Sequence, residues 1–100
     1  ITVAAPLDTE AWTDLQKLSP LRDSINPATF SPRLAGIAQT HWFGTKDRVV
    51  PPASIGAYAE HNLGPRGEVR VLDGFNHNLL WVQSWPRLLA ESCRTDTAER

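Results

Sequence analysis

Two hydrophobic periods take turns along the chain, and their exchange divides it into six elements. "ITVAA", from Ile1 to Ala5, is an apolar β-branched run that reads as a short buried strand stopped by Pro6. "DTEAWTDLQKL" follows with helical spacing. Asp8 or Thr9 can cap it, Glu10 supports its first turn, and Ala11, Leu15 and Leu18 share one face. "LAGIAQTHWFG", Leu34 to Gly44, is the second strand, with Ile37 and Phe43 on a face that also carries Gln39 and His41. "PPASIGAYAEHNL" starts a helix. Pro51 or Pro52 suits its first turn, Ile55, Tyr58 and Ala59 form its apolar stripe, and Gly64 ends it. "GEVRVLDGF" alternates Val69 and Val71 against Glu68 and Arg70 and reads as the third strand. "NLLWVQSWPRLLAESC" is the last helix, with Leu80, Trp81, Trp85, Leu88 and Leu89 as its expected buried side. Pro86 falls inside that pattern and predicts a kink or a split into two segments.

Strands alternating with helices predict an α/β fold: a parallel sheet of about three strands joined by right-handed crossovers. The outer edge of the first strand would be unpaired, and such an edge seeks a partner. Between the first helix and the second strand lies "SPLRDSINPATFSPRLA", which is rich in Pro, Ser and Asn and reads as an ordered excursion. Residues 1–92 then form one α/β unit, with 7–33 as the excursion. Residues 93–100 form a polar tail expected to fray.

Composition changes this picture mainly by exclusion. Hydrophobic residues make up 41% of the 100, enough for a core and too many for disorder. Ten basic against eleven acidic side chains remove the electrostatic argument for nucleic acid. No apolar run approaches the roughly 20 residues of a membrane span. The single Cys93 excludes an internal disulfide. The chain has no Met and opens directly on a strand, which reads as a piece of a longer polypeptide.

In an open α/β sheet, working residues gather in the loops at the carboxyl ends of the strands. Here those loops are "PLDT" with Asp8, "GTKDRVVP" with Asp47, and "DGFNHN" with Asp73 and His77. An acid after one strand and a histidine after the next emerge side by side. Such a carboxylate can accept the Nδ1 proton of the imidazole, fix its tautomer and balance its charge. Gly44 is expected to let the chain turn. Lys46 and Arg48 flank Asp47 with positive charge that would favour the ionised form.

"GTKDRVVPP" and "LDGFNHNLLW", in this order and thirty positions apart from Asp47 to His77, resemble the acid and histidine segments of the α/β-hydrolase superfamily. The resemblance spans about residues 1–91 and implies the last three strands of that fold. It implies Asp47 as triad acid, His77 as general base, a carboxylic ester as substrate and no cofactor or metal. No Gly-x-Ser-x-Gly and no Gly-rich oxyanion segment occurs in the chain. The resemblance therefore also implies a partner, the N-terminal half of the same hydrolase, which supplies nucleophile and oxyanion hole. The chain alone would be inert.

Each candidate has a plainer reading. Asp47 could be a turn or capping aspartate, and His77 a loop histidine between Asn76 and Asn78. Asp8 is the rival triad acid, although capping the first helix explains it with fewer demands. Asp73 suits a bond to its own turn, while His41 and His61 suit structural or surface roles. No set of residues has metal-ligand spacing. Of the four tryptophans, Trp42, Trp81 and Trp85 suit core packing, and Trp12 suits a substrate lid. Nothing in the sequence places an activating base near Cys93. The competing functional class is a non-catalytic α/β module, or a degenerate hydrolase relative, that pairs with another chain through its exposed sheet edge. A flavodoxin-like nucleotide binder is disfavoured, because no strand leads into a Gly-rich phosphate loop.

Overall fold

Three strands lie parallel in the order β1-β2-β3, where β1 is Thr2–Val3, β2 is Gln39–Gly44 and β3 is Gly67–Leu72. This is a computed structural model, and it describes residues 1–29 and 32–98. The register sets His41 beside Thr2 on one side and beside Val69 on the other. Between β1 and β2 run helix α1 (Thr9–Gln16) and two short 3₁₀ turns, Pro27–Thr29 and Pro32–Gly36. A 3₁₀ turn, Pro52–Ile55, leads into α2 (Gly56–Asn62), and α3 spans Trp81–Ala98. The chain is thus α/β with a parallel sheet, as the alternation of periods predicts. Phe30 and Ser31 of the expected excursion, and Glu99 and Arg100 of the expected tail, lie outside the described residues.

β2 is buried on both faces, and its side chains divide the core. Trp42 points to one side and packs with Phe75, Trp81 and Leu88 of the β3–α3 segment. Phe43 points to the other and packs with Val50, Ile55 and Tyr58, flanked by Trp12 and Val69. Helix α3 therefore covers one face of the sheet, and α1 and α2 cover the other. The indole Nε1–H of Trp42 donates to the Ser92 hydroxyl at 3.0 Å, and that hydroxyl donates to the Leu88 carbonyl at 2.8 Å, so no polar atom of this pair is stranded in the core.

Helix faces depart from the hydrophobic pattern in two places. Helix α1 ends at Gln16, so Leu18 lies beyond it; Leu15 and Leu18 are both exposed, whereas Thr13 is fully buried and Trp12 and Gln16 turn inward. The cap fixes this rotation: Asp8 accepts from Ala11 N–H at 3.2 Å, and Asn26 ties the same carboxylate oxygen to the excursion. In α3 the sheet receives Trp81, Leu88 and Ser92, while Trp85 and Leu89, and Leu80 just before the helix, remain exposed. Pro86 neither splits nor ends α3, which runs unbroken through Ala98, beyond the expected start of a frayed tail. The second strand is also shorter than expected, and Ile37 lies before it, exposed.

Candidate active site

Asp47 and His77 meet at the carboxyl end of the sheet, with His77 Nδ1 3.0 Å from Asp47 Oδ2. The two loops converge because β2 and β3 are adjacent and parallel, so both chains leave the sheet at the same rim. Gly44 draws them closer still. A Cβ on residue 44 would stand 2.1 Å from the Phe75 carbonyl oxygen, a distance no real contact allows. Absence of a side chain, rather than freedom to turn, is what Gly44 contributes. Lys46 N–H then donates to that same Phe75 carbonyl at 2.9 Å, and Thr45 N–H donates to the Leu72 carbonyl at 3.1 Å. The acid loop is stitched to the histidine loop by backbone on both sides.

The carboxylate of Asp47 is held from every direction. Its Oδ1 accepts the N–H groups of Val49 and Val50, each at 2.8 Å. Its Oδ2 faces the imidazole, and the side chain has no solvent exposure. Two amide donors on one oxygen fix the rotamer and leave the other oxygen as an acceptor for His77. With Nδ1–H donating to Oδ2, the second ring nitrogen, Nε2, is the basic one. It has no partner among the described residues, and a third of the His77 side chain is exposed. Lys46 and Arg48 take part through their backbone alone in the hydrogen bonds around Asp47.

Helix α1 clamps the acid loop from outside. The Trp12 indole donates to the Val49 carbonyl at 2.6 Å, and the Gln16 amide donates to the Arg48 and Val49 carbonyls at 2.7 and 3.0 Å. Trp12 is therefore a support for the loop carrying Asp47. Gln16 escaped the sequence reading altogether; its one signal is a position four residues after Trp12, on the same helix face. The histidine loop is organised by Asn76, whose Oδ1 accepts from Asn78 N–H and Leu79 N–H at 3.0 and 2.7 Å. The Trp81 indole donates to the Asn76 carbonyl at 2.7 Å and pins this turn to α3. Leu80, at the entrance to α3, holds φ at 78°, a strained backbone for a branched side chain.

The other candidates separate from this pair. Asp8 is the N-cap of α1, and its Oδ1 accepts from Ala11 and Asn26. Asp73 accepts from the Thr45 hydroxyl at 3.0 Å, and Thr45 in turn accepts from Gly74 N–H, so Asp73 ties the two loops together rather than bonding its own turn. His61 lies in the last turn of α2 at the surface. Cys93 is an exposed thiol on α3.

His41 is buried within a polar network on the α2 face of the sheet. Gln39 decides its tautomer. The Gln39 amide nitrogen donates to the Leu34 and Asn62 carbonyls, so its oxygen accepts, from the Tyr58 hydroxyl at 2.7 Å and from His41 Nε2–H at 2.8 Å. Nδ1 of His41 is then the acceptor for the Thr2 hydroxyl at 2.6 Å, across the β1–β2 pairing. Burial, and next the charge of the Ile1 amino terminus, push the His41 imidazole down to about 4, so it is neutral at pH 7. Burial likewise pushes the Tyr58 phenol upward.

Among the described residues, no group of three or more His, Cys, Asp or Glu side chains is placed to hold a metal ion. No helix among them is long and apolar enough to cross a membrane. No protein-family model, no curated protein and no solved structure matches this chain.

Proposed function

We propose that this chain carries the acid and the general base of a serine-type α/β-hydrolase acting on carboxylic esters. The observation that carries this reading is the Asp47–His77 pair, with one carboxylate oxygen locked by two amides and the other 3.0 Å from Nδ1. In that role Asp47 orients His77, and Nε2 takes the proton of a serine hydroxyl. The serine oxygen adds to the ester carbonyl, the imidazolium returns the proton to the departing alcohol, and an acyl-enzyme forms. His77 then takes a proton from water, whose oxygen displaces the acid from serine. The proton returns to the serine oxygen, and the site is restored.

Serine and oxyanion donors belong, in this reading, to the N-terminal half of the same hydrolase. The exposed apolar face of α3 (Val82, Trp85 and Leu89) and the open edge of the two-residue strand β1 support it, because both are surfaces that further chain would cover. The choice of an ester follows the commonest chemistry of such triads. The test is a fluorophosphonate probe, which reacts with an activated serine, applied to the full-length protein and to its His77→Ala variant. Labelling is expected in the first and loss of most of it in the second. Undiminished labelling of the variant removes His77 as the base.

A further inference from the structure

The outer edge of β3 is self-complementary, and we infer that it pairs antiparallel with the same strand of a second copy of this chain, about a two-fold axis at Val69. β3 is the last strand of the sheet, and the hydrogen bonds that bracket it show which groups point outward. Gln39 N–H donates to the Arg66 carbonyl and Thr45 N–H donates to the Leu72 carbonyl, so the even positions 66 to 72 face β2. By alternation, Gly67, Val69 and Val71 turn their backbone groups toward the open edge. Gly67 N–H is already given to the Gly64 carbonyl, which leaves the Gly67 carbonyl as an acceptor. The middle of these three residues is Val69. An axis there makes Val69 exchange N–H···O bonds with Val69 of the second copy, and lets the Val71 N–H of each copy reach the Gly67 carbonyl of the other.

Side chains agree with this register on both faces. In an antiparallel pair centred on Val69, Glu68 stands opposite Arg70 of the second copy, and Arg70 opposite its Glu68. These are the closely spaced, non-hydrogen-bonded positions, where side chains approach most closely. Opposite charges therefore meet twice, which an isologous contact requires of a self-complementary patch. Arg70 is already aimed along this face: its guanidinium lies 4.8 Å from the Trp42 ring centre and 2.9 Å from Glu91. A carboxylate accepts several hydrogen bonds, so Glu68 can take the guanidinium of the second copy's Arg70 while keeping its contacts within the chain. On the other face Val71, 46% exposed, is set across from Gly67, whose missing side chain leaves room for it. Arg87 and Glu91, one helical turn apart, line the same groove from α3. Pro and bulges blunt edge strands against pairing; β3 has no Pro and keeps an unbroken register with β2.

A six-residue strand contributes few bonds, so association in the micromolar range is expected. The experiment is sedimentation of the full-length protein across micromolar concentrations, with Glu68→Arg and Arg70→Glu variants alone and mixed, each checked for its fold by circular dichroism. Each variant alone opposes like charges twice and should weaken dimerisation on the order of tenfold or more. Mixed in equal amounts, the two variants restore both opposite-sign pairs and should form a heterodimer. A wild-type chain that stays monomeric, a dimer indifferent to either reversal, or two folded variants that fail to associate on mixing would each overturn the inference.

Discussion

Gly44 and Phe75 are in backbone contact at the point where the acid and histidine loops leave the sheet, and no side chain fits between them. A methyl group at residue 44 must push the Phe75 carbonyl away. That carbonyl holds Lys46 N–H, one residue before Asp47. Gly44→Ala is therefore expected to destabilise the fold by about 1–3 kcal/mol, the usual range for overpacking. It should also move Asp47 off His77. A misplacement of 1 Å at reacting groups costs on the order of 10²-fold in rate, so fluorophosphonate labelling of the full-length protein should slow by a similar factor. Urea denaturation and labelling kinetics measure the two effects, and an unchanged rate would separate Gly44 from the site.

Asp47 and Asp8 offer a direct contrast between an orienting and a capping carboxylate. Asp47→Asn keeps an oxygen for the Val49 and Val50 amides but turns an amide N–H toward His77. Nδ1 must then accept, and the proton moves to Nε2, the wrong tautomer for a base. Turnover of the full-length protein is expected to fall roughly 10⁴-fold with little change in melting temperature. Asp8→Ala removes the cap of α1 and should cost about 1 kcal/mol of stability while leaving turnover within a few-fold. Steady-state kinetics and thermal melts on both variants decide this. The reverse result would make Asp8 the triad acid.

The meeting of Asp47 and His77 was legible because it follows from topology alone: two adjacent parallel strands send their loops to one rim. The role of Gly44 was not legible, since it depends on Phe75, thirty-one positions away, and no local pattern reports such an approach. The inward face of α1 departs from its hydrophobic pattern for a related reason. Leu15 and Leu18 dominate a hydrophobicity pattern, yet the rotation of the helix is set by the Asp8 cap and by the indole and amide of Trp12 and Gln16 reaching the acid loop. In α3 the apolar side from Leu80 to Leu89 is wider than one sheet contact. The sequence could not choose which part meets Trp42, and the sheet took Trp81 and Leu88.

Trp12 acts on the acid loop through one hydrogen bond that can be removed without emptying the site. Trp12→Phe keeps an aromatic ring against the Phe43 cluster and deletes the donor to the Val49 carbonyl. A net loss of about 1 kcal/mol is expected. The informative readout is local: hydrogen exchange at the Val49 and Val50 amides should quicken, because the loop that presents them to Asp47 is released, while exchange at Trp42 in β2 stays slow. Equal protection of Val49 and Val50 in variant and wild type would show that the loop needs no support from α1.

His41 makes stability depend on pH in a direction that can be stated in advance. Its imidazole titrates near 4 in the folded chain against 6.5 when exposed, because burial beside Tyr58 and the nearby Ile1 ammonium disfavour the cation. Between those values the unfolded chain binds the proton and the folded chain does not, so falling pH favours unfolding. The contribution is fully present above pH 6.5, declines as pH falls from 6.5 to about 4, and is then exhausted. Its size is on the order of 3 kcal/mol, a large share of the roughly 5–15 kcal/mol that holds a typical domain together. Charging the ring also converts Nδ1 from acceptor to donor, so the Thr2 hydroxyl must reverse and the β1–β2 link is disturbed where β1 is only two residues long. Melting temperature should therefore fall measurably from pH 7 to pH 5. In His41→Gln, which stays neutral, that pH dependence should be much flatter. A wild-type chain equally stable at both pH values, or a glutamine variant with an undiminished slope, would show that some other group governs acid sensitivity.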